Sequence, residues 1–521
     1  MNRIAGLFLT AAVIAASPAA SSQQMPSEAT VPGRLVVVYR SGVVPPNADA
    51  IAASAGARSA RHLRLFGLSA LQVEGDDSVA IARLQSRPEV RAVLHDRLVT
   101  GHSILPLPRT ISLPAHTISD APGLSGEALP IPVHRPVLPV APLPPYDTDY
   151  NSPQGWAVVQ SGGYGDNIPG GPAIGPWNIS LGAGVRLAVL DSGVDRNHPD
   201  IVPNLVLNLS EVNQETLPSP CDDASPQDQQ GHGTWVASLA NGALGPSTGQ
   251  VIGVAPQAAL LNIKVLQRMP GSGATTLAQC EAGQAGGLLS WVLQGIEDAV
   301  ANHADVISLS LGTLVDTSTG DGAGWKAQFD SVTYAAAQAG VTIVAAVGND
   351  GLNLSSGTLI ELPAQSRSVL PVVAATNPAC AENLGAGAVC APGPVKRPYY
   401  SNYGATLNAI AAPGGSYPEG PLNGVSGFIL GACSGGLTNT TDGLPANGQS
   451  LGCFGLGHTA YVQAMGTSAA APLVAGAAAL LHAAHPGWTP MQIIAALRAS
   501  ATSHPAMAEP ELNLSTALTQ N

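Results

Sequence analysis

The chain has 521 residues, 45% of them hydrophobic and only 11% charged, with a net charge of −13. That length suits one large core plus an accessory module. The acidic balance and the lack of a Lys/Arg stripe argue against a nucleic-acid partner.

The chain opens with "MNRIAGLFLTAAVIAASPAASSQ", in which Arg3 precedes an apolar run from Ile4 to Ala16 and then small residues. This is the layout of a secretory signal peptide, assigned to residues 1–20 with cleavage near Ala19 to Ser22. A spanning helix takes roughly 20 apolar residues, so no membrane anchor is expected after cleavage. The product is expected to be secreted, extracellular or periplasmic. Six cysteines without CxxC or Cys/His metal spacing fit disulfides in such a compartment.

Residues 31–99 read as a small unit of their own. "RLVVVYR" is a strand, "NADAIAASAG" a helix ending at Gly56, and "LSALQVEG" alternates like a strand. "DDSVAIARLQSRPEV" is helical, with apolar positions at Val79, Ile81 and Leu84, and "VRAVLHD" is a final strand. The pattern is the β-α-β-β-α-β of the split βαβ unit. Residues 100–145 then read as an extended linker, with eleven prolines in the 45 residues from Gly101 to Pro145.

From 146 to 521, short apolar runs rich in Val and Ile alternate with helical stretches. The runs "GVRLAVLDSG", "ALLNIKVL", "ADVISLSLG", "GVTIVAAVGN" and "VLPVVAAT" imply an α/β domain whose parallel sheet is covered by helices on both faces. Sites in such folds lie at the carboxyl ends of the strands.

Three side chains fall at such ends. Asp191 directly follows the strand Val185–Leu190, His232 stands between two glycines in "QQGHGTWVASLANG", and Ser468 opens a helix in "AMGTSAAAP". Taken singly, these are a cap, a structural histidine and an N-cap. Taken together, they supply a carboxylate, a base and a nucleophile whose hydroxyl sits at a positive helix terminus.

The motifs "LAVLDSGVDRNHPD", "GHGTWVASLA" and "GTSAAAP" resemble the three active-site motifs of subtilisin-like serine proteases, peptidase family S8, and occur in the order Asp, His, Ser. "SNYGATLNAIAAPGG" and "PLVAGAAALLHAAHPGWTPMQIIAALRAS" extend the likeness, and residues 31–99 resemble the family's inhibitory propeptide. The resemblance implies a serine endopeptidase in which Asp191 orients His232 and His232 deprotonates Ser468. It implies Asn349, in "VAAVGNDG", as the side-chain donor of the oxyanion hole, with Ser468 N–H as the second donor. Ser310, Leu311 and Gly312, in "ISLSLG", would line the strand that binds substrate backbone. Asp200 matches a family position that binds a structural calcium, although the loop "NGALGPSTGQ" adds no carboxylate; the chemistry itself needs no cofactor.

Two positions depart from the family pattern: Trp235 stands where His is common, and Ala469 where Met is common. "GPSTG" fits a GxSxG elbow, but it follows a helix rather than a strand, so Ser247 is rejected as nucleophile.

The expected partners are polypeptide substrates and the chain's own propeptide as intramolecular inhibitor, in a monomer. The alternative is a catalytically silent binding protein. Disulfides are expected at Cys221–Cys280, Cys380–Cys390 and Cys433–Cys453, the last two closing short loops. The first specificity pocket is expected to be apolar, walled by Leu311 and Ala345–Ala346, with Asp350 at its mouth giving a small bias toward basic residues. A first self-cleavage is expected near Val99–Ser103.

Overall fold

The apolar runs of the C-terminal part form one sheet of seven strands: β6 (Arg186–Asp191), β7 (Leu205–Ser210), β8 (Ala259–Lys264), β11 (Val306–Leu309), β13 (Thr342–Ala346), β15 (Val369–Ala375) and β17 (Ile410–Pro413). All pairs are parallel, in the order β17-β15-β13-β11-β6-β8-β7. The computed structural model describes residues 30–102, 104–109, 156–162, 175–244, 251–377, 382–383, 394–416, 425–436, 452–456 and 459–519. The signal peptide, most of the expected linker, Ser247 and the Cys380–Cys390 pair lie outside these residues.

Because the strands are buried on both faces, alternate residues feed two cores. Leu187, Val189, Val344 and Val372 pack against α4 (His232–Asn241), α8 (Thr467–Ala484), α9 (Pro490–Ser500) and α10 (Leu514–Thr519). Ala188, Leu190, Ile343 and Val373 face α6 (Leu289–Ala301) and α7 (Gly320–Gln338). The small side chains of α8 let it lie close against the sheet. It is long and apolar enough to cross a membrane, yet 89% of it is buried inside the domain. Two smaller helices are α3 (Trp156–Gln160) and α5 (Thr276–Glu281).

The N-terminal unit comprises β1 (Thr30–Tyr39), α1 (Ala48–Ser54), β2 (Ala57–Leu63), β3 (Leu68–Val73), α2 (Asp77–Gln85) and β4 (Val90–Gly101). Its antiparallel order is β2-β3-β1-β4, with its own core of Leu35, Val37, Ile51, Leu71, Leu84 and Val90. Asp76 caps α2 by accepting from Ser78 N–H.

β4 runs past the expected boundary at 99 and enters the larger domain. There it lies between β10 (Ala285–Leu288) and β12 (Leu311–Asp316), antiparallel to both. β9 (Leu266–Arg268) pairs with β10, and β14 (Leu359–Leu362) with β12. Part of the expected linker is also ordered, as β5 (Ile104–Arg109), which joins β19 (Ile429–Ala432) and β20 (Tyr461–Met465) in a three-stranded sheet. A polyproline reading misses β5 because prolines are tolerated on an edge strand, and β5 is the edge of its sheet. A short ribbon of β16 (Glu382–Asn383) and β18 (Val425–Ser426) completes the strands described.

Candidate active site

Asp191 is the last residue of β6, in the middle of the parallel sheet. Its Oδ1 accepts from His232 Nδ1 at 2.7 Å and from Ser192 N–H at 2.7 Å. His232 opens α4, where its backbone N–H donates to Gln230 Oε1. The loop before it wraps the buried Asp228 carboxylate. One oxygen of that carboxylate takes Gln230 N–H, Gly231 N–H and the Ser192 hydroxyl, and the other takes the Thr234 N–H and hydroxyl. Gly233 is needed here, since a Cβ would collide with Gly193 O in the turn after Asp191. With Nδ1–H given to Asp191, Nε2 is left to accept, and it lies 2.9 Å from Ser468 Oγ. All three residues are at most 1% exposed.

Ser468 is the second residue of α8. Pro472, four residues on, has no N–H to give the Ser468 carbonyl. That carbonyl instead accepts from Ser310 Oγ at 3.0 Å, which ties the start of α8 to the residue following β11. Asn349 follows β13. Its Oδ1 accepts from both the backbone N–H and the hydroxyl of Thr467, each at 2.9 Å, so its Nδ2 points the other way.

The acceptor facing Nδ2 is the backbone carbonyl of His102. It takes Asn349 Nδ2 at 2.6 Å and Ser468 N–H at 3.3 Å. His102 N–H in turn donates to Ser310 O at 3.0 Å. Upstream, Leu98, Val99 and Thr100 pair with Leu288, Gly287 and Gly286, while Thr100 and Gly101 pair with Gly312 and Leu311. Downstream, Ile104 pairs with Met465 and Leu107 with Gln463. The chain is therefore strand-paired on both sides of residue 102, whose carbonyl faces the Asn349 Nδ2 and Ser468 N–H donors.

A model of the subtilase family, peptidase S8, matches residues 182–516. The chain belongs to the subtilase family. It is 33% identical over 344 residues to subtilisin amylosacchariticus of Bacillus subtilis subsp. amylosacchariticus, covering 66% of this chain and 67% of that one. It is 35% identical over 175 residues to thermitase of Thermoactinomyces vulgaris, covering 34% of this chain and 51% of thermitase. Among solved structures, fervidolysin of Fervidobacterium pennivorans, a keratinolytic enzyme related to subtilisin, superposes with a TM-score of 0.58 at 20% identity. That match covers 94% of this chain and 61% of fervidolysin. The epidermin leader peptide processing serine protease of Staphylococcus aureus gives a TM-score of 0.58 at 17% identity, covering 94% and 98% of the two chains. Both structures share the subtilisin-like fold, and the chain is a subtilisin-family serine protease.

In this subtilase Asp191, His232, Ser468 and Asn349 converge on one point, and Ser310, Leu311 and Gly312 line the strand edge beside it. Trp235 is buried behind His232, with ring centroids 6.0 Å apart, and donates Nε1–H to Ile429 O. Asp200 lies apart from the site. Its carboxylate accepts from Val251 N–H at 3.2 Å, and no group of three His, Cys, Asp or Glu residues suited to a metal occurs among the described residues. Residues 245–250, in the loop expected to complete a calcium site with Asp200, are outside the described residues. The disulfides Cys221–Cys280 and Cys433–Cys453 are formed. The second packs beside Gly231 and so backs the His232 loop.

The buried Glu361 carboxylate lies beside the His102 side chain, with Oε1 3.2 Å from His102 Nε2. Asp350, expected at the mouth of the first pocket, is exposed, accepts from Asn402 Nδ2 and lies near enough to Glu361 for its charge to raise that carboxyl's pKa. The signal for Glu361 was a lone acid inside the apolar strand "LIEL".

Proposed function

We propose that this subtilase is a secreted endopeptidase made as a zymogen that cuts itself between His102 and Ser103. One observation carries the reading: the His102 carbonyl accepts from Asn349 Nδ2 and Ser468 N–H while its chain is paired on both sides of that bond. Ser468 Oγ attacks the carbonyl carbon as its proton passes to His232 Nε2, and Asp191 holds the imidazole and stabilises its charge. The oxyanion is held by Asn349 and the Ser468 amide. Collapse breaks the C–N bond, and His232 gives its proton to the amine of Ser103. Water, deprotonated by His232, then releases the acyl group as the carboxylate of His102.

Residues 30–102 would stay docked in the cleft as the inhibitor until released. The N-terminal apolar run and the two disulfides support export to an oxidising compartment.

Ser468→Ala, expressed at full length, is expected to accumulate as one unprocessed species, whereas the parent yields a fragment ending at His102 by intact mass. Normal processing of purified Ser468→Ala would mean another nucleophile. A fluorophosphonate probe separates the alternative, a silent binder: labelling that requires Ser468 marks a competent site.

A further inference from the structure

The His102 side chain fills the first pocket, 9% exposed. Its Nε2 lies 3.2 Å from Glu361 Oε1, within ion-pair range though off the line of a hydrogen bond. The Glu361 side chain is 1% exposed. Gly312 makes room for both groups: a Cβ there would run into Glu361 Oε1 and lie 2.7 Å from His102 Cε1. The placement is fixed by backbone pairing, because β12 pairs Leu314 with Glu361 on one side and Gly312 with Thr100 on the other.

Among the described residues no Lys or Arg forms an ion pair with Glu361, and the imidazole of His102 is the basic group it meets. A buried carboxylate without a partner is costly. Burial pushes this carboxyl up to about 7, while the His102 imidazole pulls it down. Once residues 30–102 leave, the carboxylate faces the space that the His102 side chain occupied.

We propose that Glu361 is the specificity-determining residue of the first pocket and selects histidine immediately before the bond that is cut. The proposal rests on the reading that Ser468 attacks the carbonyl of residue 102. An imidazole reaches the carboxylate at its own length. An apolar side chain leaves the carboxylate unpartnered, and an acidic one repels it.

The test uses the processed enzyme and peptides identical except for His, Phe, Leu, Gln, Lys or Glu at that position. The expected kcat/KM for His exceeds that for Phe and Leu by about 10-fold or more, the scale of one close charge pair. Glu361→Gln is expected to lower the His-to-Phe ratio by about 10- to 100-fold. Equal cleavage of the His and Phe peptides, or a ratio unchanged by Glu361→Gln, overturns the proposal while leaving the protease reading intact. Failure to cut any peptide overturns the protease reading, and this proposal with it. Should Glu361→Gln fail to fold, self-processing of the full chain decides. His102→Glu, which sets a second carboxylate against Glu361, is expected to process about 100-fold more slowly than His102→Leu; equal rates overturn the proposal.

Discussion

Asn349 offers its nitrogen to the His102 carbonyl because Thr467 holds its oxygen with two donors. Asn349→Ala removes the oxyanion donor and is expected to lower kcat by about 100- to 1000-fold with little change in KM. Thr467→Val keeps the backbone donor and loses the hydroxyl, so a smaller loss of about 3- to 10-fold is expected. Steady-state kinetics on one peptide separates the two; equal losses would mean that Thr467 acts on more than the amide. Asp191, His232, Ser468 and Asn349 were legible in the sequence because each stands in its own motif at a strand or helix end. Glu361 was not, because what gives it meaning is its neighbour His102. That neighbour is brought to it only by β12 pairing with β14 on one edge and β4 on the other.

At the scale of elements, the parallel strands were legible because burial on both faces forces continuous apolar runs. The pairs around the cleft were not. β10 reads "AGGL", and β4 continues as "RLVTG" beyond its apolar part. β2 is an edge strand of the N-terminal unit and needs few apolar residues. The helix α8 carries a second consequence of its burial. His482, in its last turn, lies 2.9 Å from Thr342 Oγ1, and desolvation lowers its pKa to about 4. The helix C-terminus favours the charged form, but by only about 0.3–1 kcal/mol, so burial wins. An unfolded histidine titrates near 6.5. The unfolded chain therefore takes up a proton that the folded chain refuses as pH falls from there toward 4, and stability drops by up to about 3 kcal/mol. His482→Gln in the Ser468→Ala background is expected to flatten this acid loss. Urea unfolding at pH 7 and pH 4.5 checks it, and an unchanged difference between the two would place the acid sensitivity elsewhere.

At the scale of the whole molecule, the N-terminal unit docks through carboxyl groups that are buried at the seam. Asp96 accepts from Ser290 N–H at the start of α6, and burial raises its pKa to about 6. Glu211, ion-paired with Arg61 at 2.9 Å, is raised further, by burial first and then by the proton it shares with Asp298. Glu361, under His102, shifts in the same direction. Asp96 belongs to the N-terminal unit and is covered by docking, so it binds its proton more tightly in the docked state, and its contribution to docking weakens as pH climbs through its value. For Asp96 alone the shift is worth up to about 100-fold in affinity. Release of the cleaved N-terminal fragment, followed by size-exclusion at pH 5, 7 and 9, is expected to speed up with pH. Asp96→Asn is expected to remove the part of that rise below neutrality, and a rise equally steep in this variant would assign the effect to other groups. β4 fits between β10 and β12 only as an extended strand with both backbone edges free. A target protein whose scissile segment is helical or already paired in a sheet cannot lie there until that segment opens. For native targets, the digestion rate should then follow their local unfolding equilibria more closely than the sequence at the cut.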